Sequence, residues 1–226
     1  MCGRFTITLD ADELKESMEL SSLPNDWRPR FNVAPTQLVV VVTDANIRQG
    51  EWMRWGLIPG WAKDMEIGSR LINARSETIT EKPSFRSAFV QRRCILLADG
   101  FYEWQRSEDK KVPSIPYFFY RKGHKPFGIA GLWETWQNPA GEEIRSCTII
   151  TTAANELVRP VHDRMPVLLD KSNMWTWILP GAPEQHLALL KPYPDEAMES
   201  HIVSKTVNDP ARDAPECLTP VNQTRS

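Results

Sequence analysis

Long apolar runs are absent from this 226-residue chain: no stretch approaches the roughly 20 apolar residues that span a bilayer. The start of the chain also lacks a basic segment followed by an apolar one, so a soluble, cytoplasmic protein is expected. Cysteine is sparse and scattered. The four cysteines, Cys2, Cys94, Cys147 and Cys217, form no C-x-x-C pair, which points away from a zinc site or a disulfide framework and toward a reducing compartment. Charge of one sign is missing too. With 27 Lys and Arg against 29 Asp and Glu, the formal net charge is -2, so no global cationic field draws nucleic acid or an anionic membrane, and such a partner must meet a local basic patch. There is no Gly-rich phosphate loop, no H-E-x-x-H, no G-x-S-x-G and no internal repeat.

What is present is aromatic and stiff. Nine Trp and 18 Pro in a chain of ordinary globular composition predict short strands joined by rigid loops rather than long helices. Leu38 to Val42 is β-branched and reads as a buried strand, with the alternating Glu51 to Trp55 as its neighbour. Further strands are predicted at Cys94 to Ala98, Phe101 to Trp104, Pro116 to Tyr120, Phe127 to Trp133, Cys147 to Thr151 and Met165 to Leu169, with an edge strand from His201 to Asn208. Asp99-Gly100 signals a hairpin between the first two of these. Helices are predicted after Asp10, over Pro83 to Gln91, briefly at Ala154 to Val158, and at Ser172 to Leu179 and Glu184 to Leu190. Ser107 to Pro116 reads as a mobile hairpin tip, and residues 209–226 read as a loose tail.

Chemistry concentrates in a few places. Cys2 directly follows Met1, and a small second residue permits removal of the methionine. Cys2 would then carry an amine beside its thiol, a 1,2-aminothiol that condenses with an aldehyde to an imine and closes to a thiazolidine. Unperturbed pKa values of about 7.7 to 8 for an α-amine and about 8.5 for a thiol leave little of either group nucleophilic at neutral pH, so such a site needs a proton-transfer partner. The competing reading is a small residue in a flexible terminus. Glu103 lies between Tyr102 and Trp104, on the opposite strand face, where burial would raise its pKa toward neutrality. His162, held between Pro160 and Pro166, is suited to proton work near pH 7, although a lone His is more often structural. Cys94 and Cys147, within apolar runs, read as buried and inert. Gly56 to Trp61 reads as a loop presenting Trp61, and Arg70 to Arg93 holds six cations against Glu77 and Glu81, a basic strip that is either a solvated face or a nucleic-acid track.

Six motifs in order, Met1-Cys2-Gly3-Arg4-Phe5, Asn32-Val33-Ala34-Pro35, Trp55-Gly56-Leu57-Ile58-Pro59-Gly60-Trp61, Asn73-Ala74-Arg75-Ser76-Glu77-Thr78, Ala98-Asp99-Gly100-Phe101-Tyr102-Glu103-Trp104 and His162-Asp163-Arg164-Met165-Pro166, closely resemble the SRAP (SOS-response-associated peptidase) family. The resemblance runs from residue 2 to about residue 208. It implies a single α+β domain with a barrel-like, mixed or antiparallel β core flanked by helices and crossed by a groove for single-stranded DNA. It also implies a covalent crosslink between Cys2 and the ring-opened aldehyde of an abasic site, which shields the lesion during replication-coupled repair, with weak strand-cleaving lyase activity and self-reversal as secondary expectations. Carried over residue by residue, Cys2 is the nucleophile, Asn73 orients its amine, Glu103 shuttles protons, and His162 assists sugar-ring opening and Schiff-base formation. Arg4, Arg75 and Arg164 hold phosphates, and Asn32, Pro35, Trp61 and Thr151 line the groove. The resemblance implies no metal or organic cofactor. The implied partner is single-stranded DNA containing abasic sites, with no membrane; the protein is expected to be a monomer in the cytoplasm that joins the nucleoid on DNA damage.

Two rivals stay open at this level. In one, Cys2 is the thiol of an N-terminal-nucleophile peptidase or hydrolase, a reading weakened because no propeptide precedes it beyond Met1. In the other, the protein binds single-stranded DNA without bonding to it, which the balanced net charge disfavours for undamaged strands.

Overall fold

The computed structural model describes residues 2–109 and 111–221. Met1, and with it the expectation that it is removed, lies outside these residues, as do Lys110 in the predicted hairpin tip and the end of the predicted tail. In chain order the elements begin with β1 (Phe5–Ile7), α1 (Ala11–Met18), β2 (Arg30–Val33), β3 (Leu38–Val42), β4 (Gly50–Trp55) and β5 (Asn73–Arg75). The middle of the chain supplies α2 (Arg86–Gln91), β6 (Arg93–Ala98), β7 (Gly100–Gln105), β8 (Ile115–Arg121), β9 (Phe127–Gln137) and β10 (Glu143–Ala153). It finishes with β11 (Arg164–Pro166), β12 (Leu168–Leu169), α3 (Lys171–Ile178), α4 (Pro183–Leu187) and β13 (Met198–Ile202).

Strands β10, β4, β3, β6 and β9 pair in that order, and β9 pairs back onto β10 to close a barrel. The β10–β4 ladder is parallel and the others around the ring are antiparallel, so the barrel is mixed. A second, five-stranded antiparallel sheet runs in the order β13-β8-β7-β1-β2. The fold is α+β, as the resemblance implied.

The unbroken apolar run of β3 has a physical reason: both of its faces are buried. Val39 and Val41 join Trp55, Leu96 and Ile149 in one core, while Val40 and Val42 join Ile95, Leu97 and Ile150 in another. Helices cover the second core through Leu14 and Met18 of α1, Ala88 and Phe89 of α2, and Met174 and Trp177 of α3. The antiparallel sheet covers the first through Phe5, Phe101 and Phe119. Each fully buried side chain of this size contributes about 1.5–3 kcal/mol. Cys2 belongs to that first core, so the sheet that buries it also fixes its place in the fold.

Several local expectations need correction. Asp99-Gly100 does not turn a hairpin: β6 pairs with β3 and β9, whereas β7 pairs with β1 and β8. The single residue Asp99 carries the chain from one sheet to the other, and its buried carboxylate accepts from the Thr6 hydroxyl and, at 2.6 Å each, from the Thr8 amide and hydroxyl. A turn signal is local, and Thr6 and Thr8 are more than 90 residues away. Ala154 to Val158 forms turns instead of a helix, and the helix expected from Pro83 begins only at Arg86. Met165 to Leu169 is not one strand, because β11 pairs with β10 and β12 with β9. The expected loose tail is docked as far as residue 221. Asp213 accepts from the Phe31 and Asn32 amides at 2.6 and 2.9 Å and pairs with Arg30, Cys217 is fully buried, and Val203 bridges to Pro220.

Candidate active site

The site forms where the N-terminal end of β1 meets β5, β7 and the β10–β11 edge. The Tyr102 amide donates to the Arg4 carbonyl at 3.0 Å, which lays residues 2–4 alongside the stretch of β7 that carries Glu103. From the barrel side, Asn73 on β5 donates its Nδ2 to the Cys2 carbonyl at 2.9 Å. β5 is held parallel to β10 with Asn73 opposite Ile149 and Arg75 opposite Thr151, and Thr151 also faces Pro166 of β11. Strands remote in sequence thus converge on one cysteine.

Cys2 has no solvent exposure, and its Sγ lies 3.8 Å from the Arg4 carbonyl. Burial pushes the thiol well above its ordinary range, and the nearby Glu103 charge pushes it further. Glu103 is itself 3% exposed, and desolvation pushes its pKa up to about 7, with the Asp163 charge acting in the same direction. Near neutral pH this carboxyl is both a competent acid and a competent base. His162 is pulled below its usual value by desolvation. Its Nδ1 accepts from the Arg164 amide at 3.0 Å, which leaves the proton of the neutral ring on Nε2. The Asp163 carboxylate lies 3.0 Å from the same Nδ1, so an imidazolium would exchange the amide contact for the carboxylate. Cys94 and Cys147 are buried with raised thiol pKa values, as expected for inert thiols.

Of the four expected catalytic residues, Asn73 bonds Cys2 and the Glu103 charge acts on its thiol, while His162 and Glu103 both feel the charges of Asp163 and Arg106. The Asn73 Nδ2 takes the Cys2 carbonyl because β5 meets residue 2 at its backbone oxygen, and among the described residues its own Oδ1 is buried without a partner.

The expected DNA-contacting residues divide. Trp61 is 61% exposed on the loop between β4 and β5, and Arg75 is exposed at the end of β5, its side chain making no ion pair or hydrogen bond among the described residues. The Trp61 loop is closed at its base, where a Cβ on Gly56, whose φ is +125°, would come within 2.6 Å of the Gly68 carbonyl oxygen. Pro35 is half-buried beside exposed Leu38. Arg4 and Asn32, expected at a phosphate and in the groove, are turned to the C-terminal segment. Arg4 donates to Asn32 Oδ1 and the Val207 carbonyl at 2.6 and 2.7 Å and stacks over Trp104, and the fully buried Asn32 donates to the carbonyls of Val207, Asp209 and Arg212. Buried polar groups need partners, and the nearest ones come from residues 207–212. Thr151 is buried and contacts Arg164, whose guanidinium is paired with Glu77. The basic strip is also shorter than its sequence, since Arg92 pairs with Glu134 and Arg93 is buried against the carbonyls of Phe89, Val90, Trp177 and Leu179. Sequence reading missed Arg106, an exposed cation whose charge acts on both Glu103 and His162, because it lies at the start of a charged loop with no motif.

The SOS response associated peptidase (SRAP) family profile matches residues 1–210, and the chain belongs to that family. It is 45% identical over 224 residues to the abasic site processing protein YoqW of Bacillus subtilis, covering 96% of this chain and 99% of that one. It is 32% identical over 264 residues to the abasic site processing protein HMCES of Xenopus tropicalis, covering 98% of this chain and 78% of the relative. A crystal structure of a Bacteroides thetaiotaomicron protein superposes with a TM-score of 0.87 at 26% identity, covering 98% of this chain and all of that one.

Proposed function

We propose that the protein processes abasic sites in single-stranded DNA by forming a covalent crosslink through Cys2. The relatives named abasic site processing proteins support the substrate class. The observation that carries the chemistry is the convergence of a buried Cys2, the Asn73 donor on its carbonyl, and a Glu103 carboxyl poised at about 7. Once Met1 is removed, the Cys2 amine attacks the aldehyde of the ring-opened deoxyribose. Glu103 takes the ammonium proton and returns it to the departing hydroxyl, so that imine formation releases one water. The thiol then adds across the C=N bond, its sulfur to carbon and its proton to nitrogen, and a thiazolidine results. Neutral His162, with its proton on Nε2, assists opening of the sugar hemiacetal. Arg75 binds a flanking phosphate and Trp61 offers a stacking platform for a base, the sequence-tolerant pairing that single strands require. Stalling at the imine permits β-elimination, the source of a weak lyase activity.

Mass spectrometry of the methionine-free protein mixed with an abasic oligonucleotide tests this reading. The expected product is the sum of the two masses less one water, absent in Cys2→Ala. Turnover of peptides without an adduct would favour the hydrolase, and an unmodified complex would favour the noncovalent binder.

A further inference from the structure

The Arg164 guanidinium is already occupied by an anion. One terminal nitrogen bonds Oε1 of Glu77, and the other bonds Oε2 at 2.9 Å and the Thr151 carbonyl at 2.7 Å, leaving Nε buried without a partner among the described residues. This two-pronged grip is the geometry with which arginine takes either a carboxylate or a phosphate. The partners are not equally fixed. Arg164 is 10% exposed and anchored in β11 against β10, whereas Glu77 is 51% exposed on the three-residue turn of helix Ser76–Thr78. If the pair separates, Glu77 is the side that moves into water. Arg75, exposed two residues earlier on the same segment, offers a second cation to a passing strand.

We propose that Glu77 is an internal phosphate mimic: it occupies Arg164 in the resting protein, and a backbone phosphate of the bound strand must replace it. This inference rests on the reading that single-stranded DNA runs past Cys2. An undamaged strand gains only the difference between a phosphate and a carboxylate at Arg164, so its binding stays weak. A strand with an abasic site gains the covalent bond as well. Glu77 therefore keeps undamaged strands from occupying the site, since they have no covalent bond to offset the displacement, while contributing nothing to the bond-forming steps.

The test measures binding of an undamaged single-stranded oligonucleotide by fluorescence anisotropy across a salt series. It compares the wild-type protein with Glu77→Gln, Glu77→Ala and the control Glu81→Gln, which removes an exposed charge four residues away that makes no contact with Arg164. Both Glu77 variants are expected to bind about fivefold tighter. Their salt dependence should steepen by up to about 0.7 in log–log slope, because no freed carboxylate takes up a cation when the phosphate arrives at Arg164. Glu81→Gln should leave the slope unchanged. Equal effects at the two positions, or weaker binding by the Glu77 variants, would overturn the proposal, as would failure of the wild-type protein to bind DNA at all. Loss of the mass-spectrometric adduct with the slope change intact would instead sink the covalent reading and leave the role of Glu77 standing.

Discussion

Asn73 and Cys2 are 71 positions apart, yet the amide of one donates to the carbonyl of the other at 2.9 Å. This bond joins β5, which lies alongside barrel strand β10, to the residues before β1, so Cys2 is held by its backbone, and among the described residues its thiol has no side-chain partner. Asn73→Asp keeps the size but removes the donor and sets a carboxylate against the Cys2 carbonyl. A lost bond of this kind is worth about 1 kcal/mol, and the unmatched carbonyl adds to it. Adduct formation on an abasic oligonucleotide, followed by denaturing gel, should slow by about tenfold or more.

Glu103 couples activity to stability in opposite directions. Its folded pKa of about 7 lies above the ordinary 4.5, so the folded state binds more protons than the unfolded one between these values, and stability falls as pH rises through that window. Glu103→Gln removes the penalty. Thermal melts should show the variant level with wild type near pH 4 and more stable above pH 7, by on the order of 3 kcal/mol at most. Adduct formation should fall at every pH. A variant less stable than wild type at high pH would rule out a desolvated carboxyl.

Trp61 is placed to serve a ligand, since its side chain contributes exposed surface and little packing. Trp61→Ala should change stability by no more than about 0.5 kcal/mol. It should weaken single-strand affinity by about 1–3 kcal/mol, the range for one base on an aromatic platform. Anisotropy and a thermal melt on the same preparation check both halves.

The docked C-terminal segment predicts a cost for disturbing Asp213. Asp213→Asn removes the charge that pairs with Arg30, and the amide matches the Phe31 and Asn32 donors with a single oxygen. Denaturant unfolding should show a loss of about 1–3 kcal/mol. Because Val207 accepts from Arg4, the variant should also slow adduct formation by loosening the strand that carries Cys2.

Much of the β framework was legible because strand periodicity is local. The β-branched run at Val39 to Val42 and the alternation from Glu51 to Trp55 report burial directly, and Asp10 caps α1 through the Asp12 and Glu13 amides as its position suggested. The neighbourhood of Cys2, Asn73 and Glu103 was accessible only through ordered motifs, since no spacing along the chain reveals that they lie together. What could not be read was pairing over long separations. Arg4 and Asn32 look like free polar residues until Val207 and its neighbours arrive to accept from them, and Asp99-Gly100 looks like a turn until Thr6 and Thr8 claim the carboxylate. Glu77 was visible only as a countercharge, because its partner lies 87 positions away.

The one-residue passage at Asp99 has a mechanical meaning for the whole molecule. Because barrel strand β6 continues into β7 with no slack, the barrel and the outer sheet cannot slide past each other without stretching the chain or tearing the carboxylate from β1. Glu103, to which we assign proton transfer, sits four residues downstream of that weld. Inserting a single glycine there would reverse which side of β7 each residue faces, turning Glu103 away from the cysteine and Tyr102 inward. At this junction a one-residue change in chain length is expected to abolish adduct formation, which a denaturing gel on an abasic oligonucleotide checks.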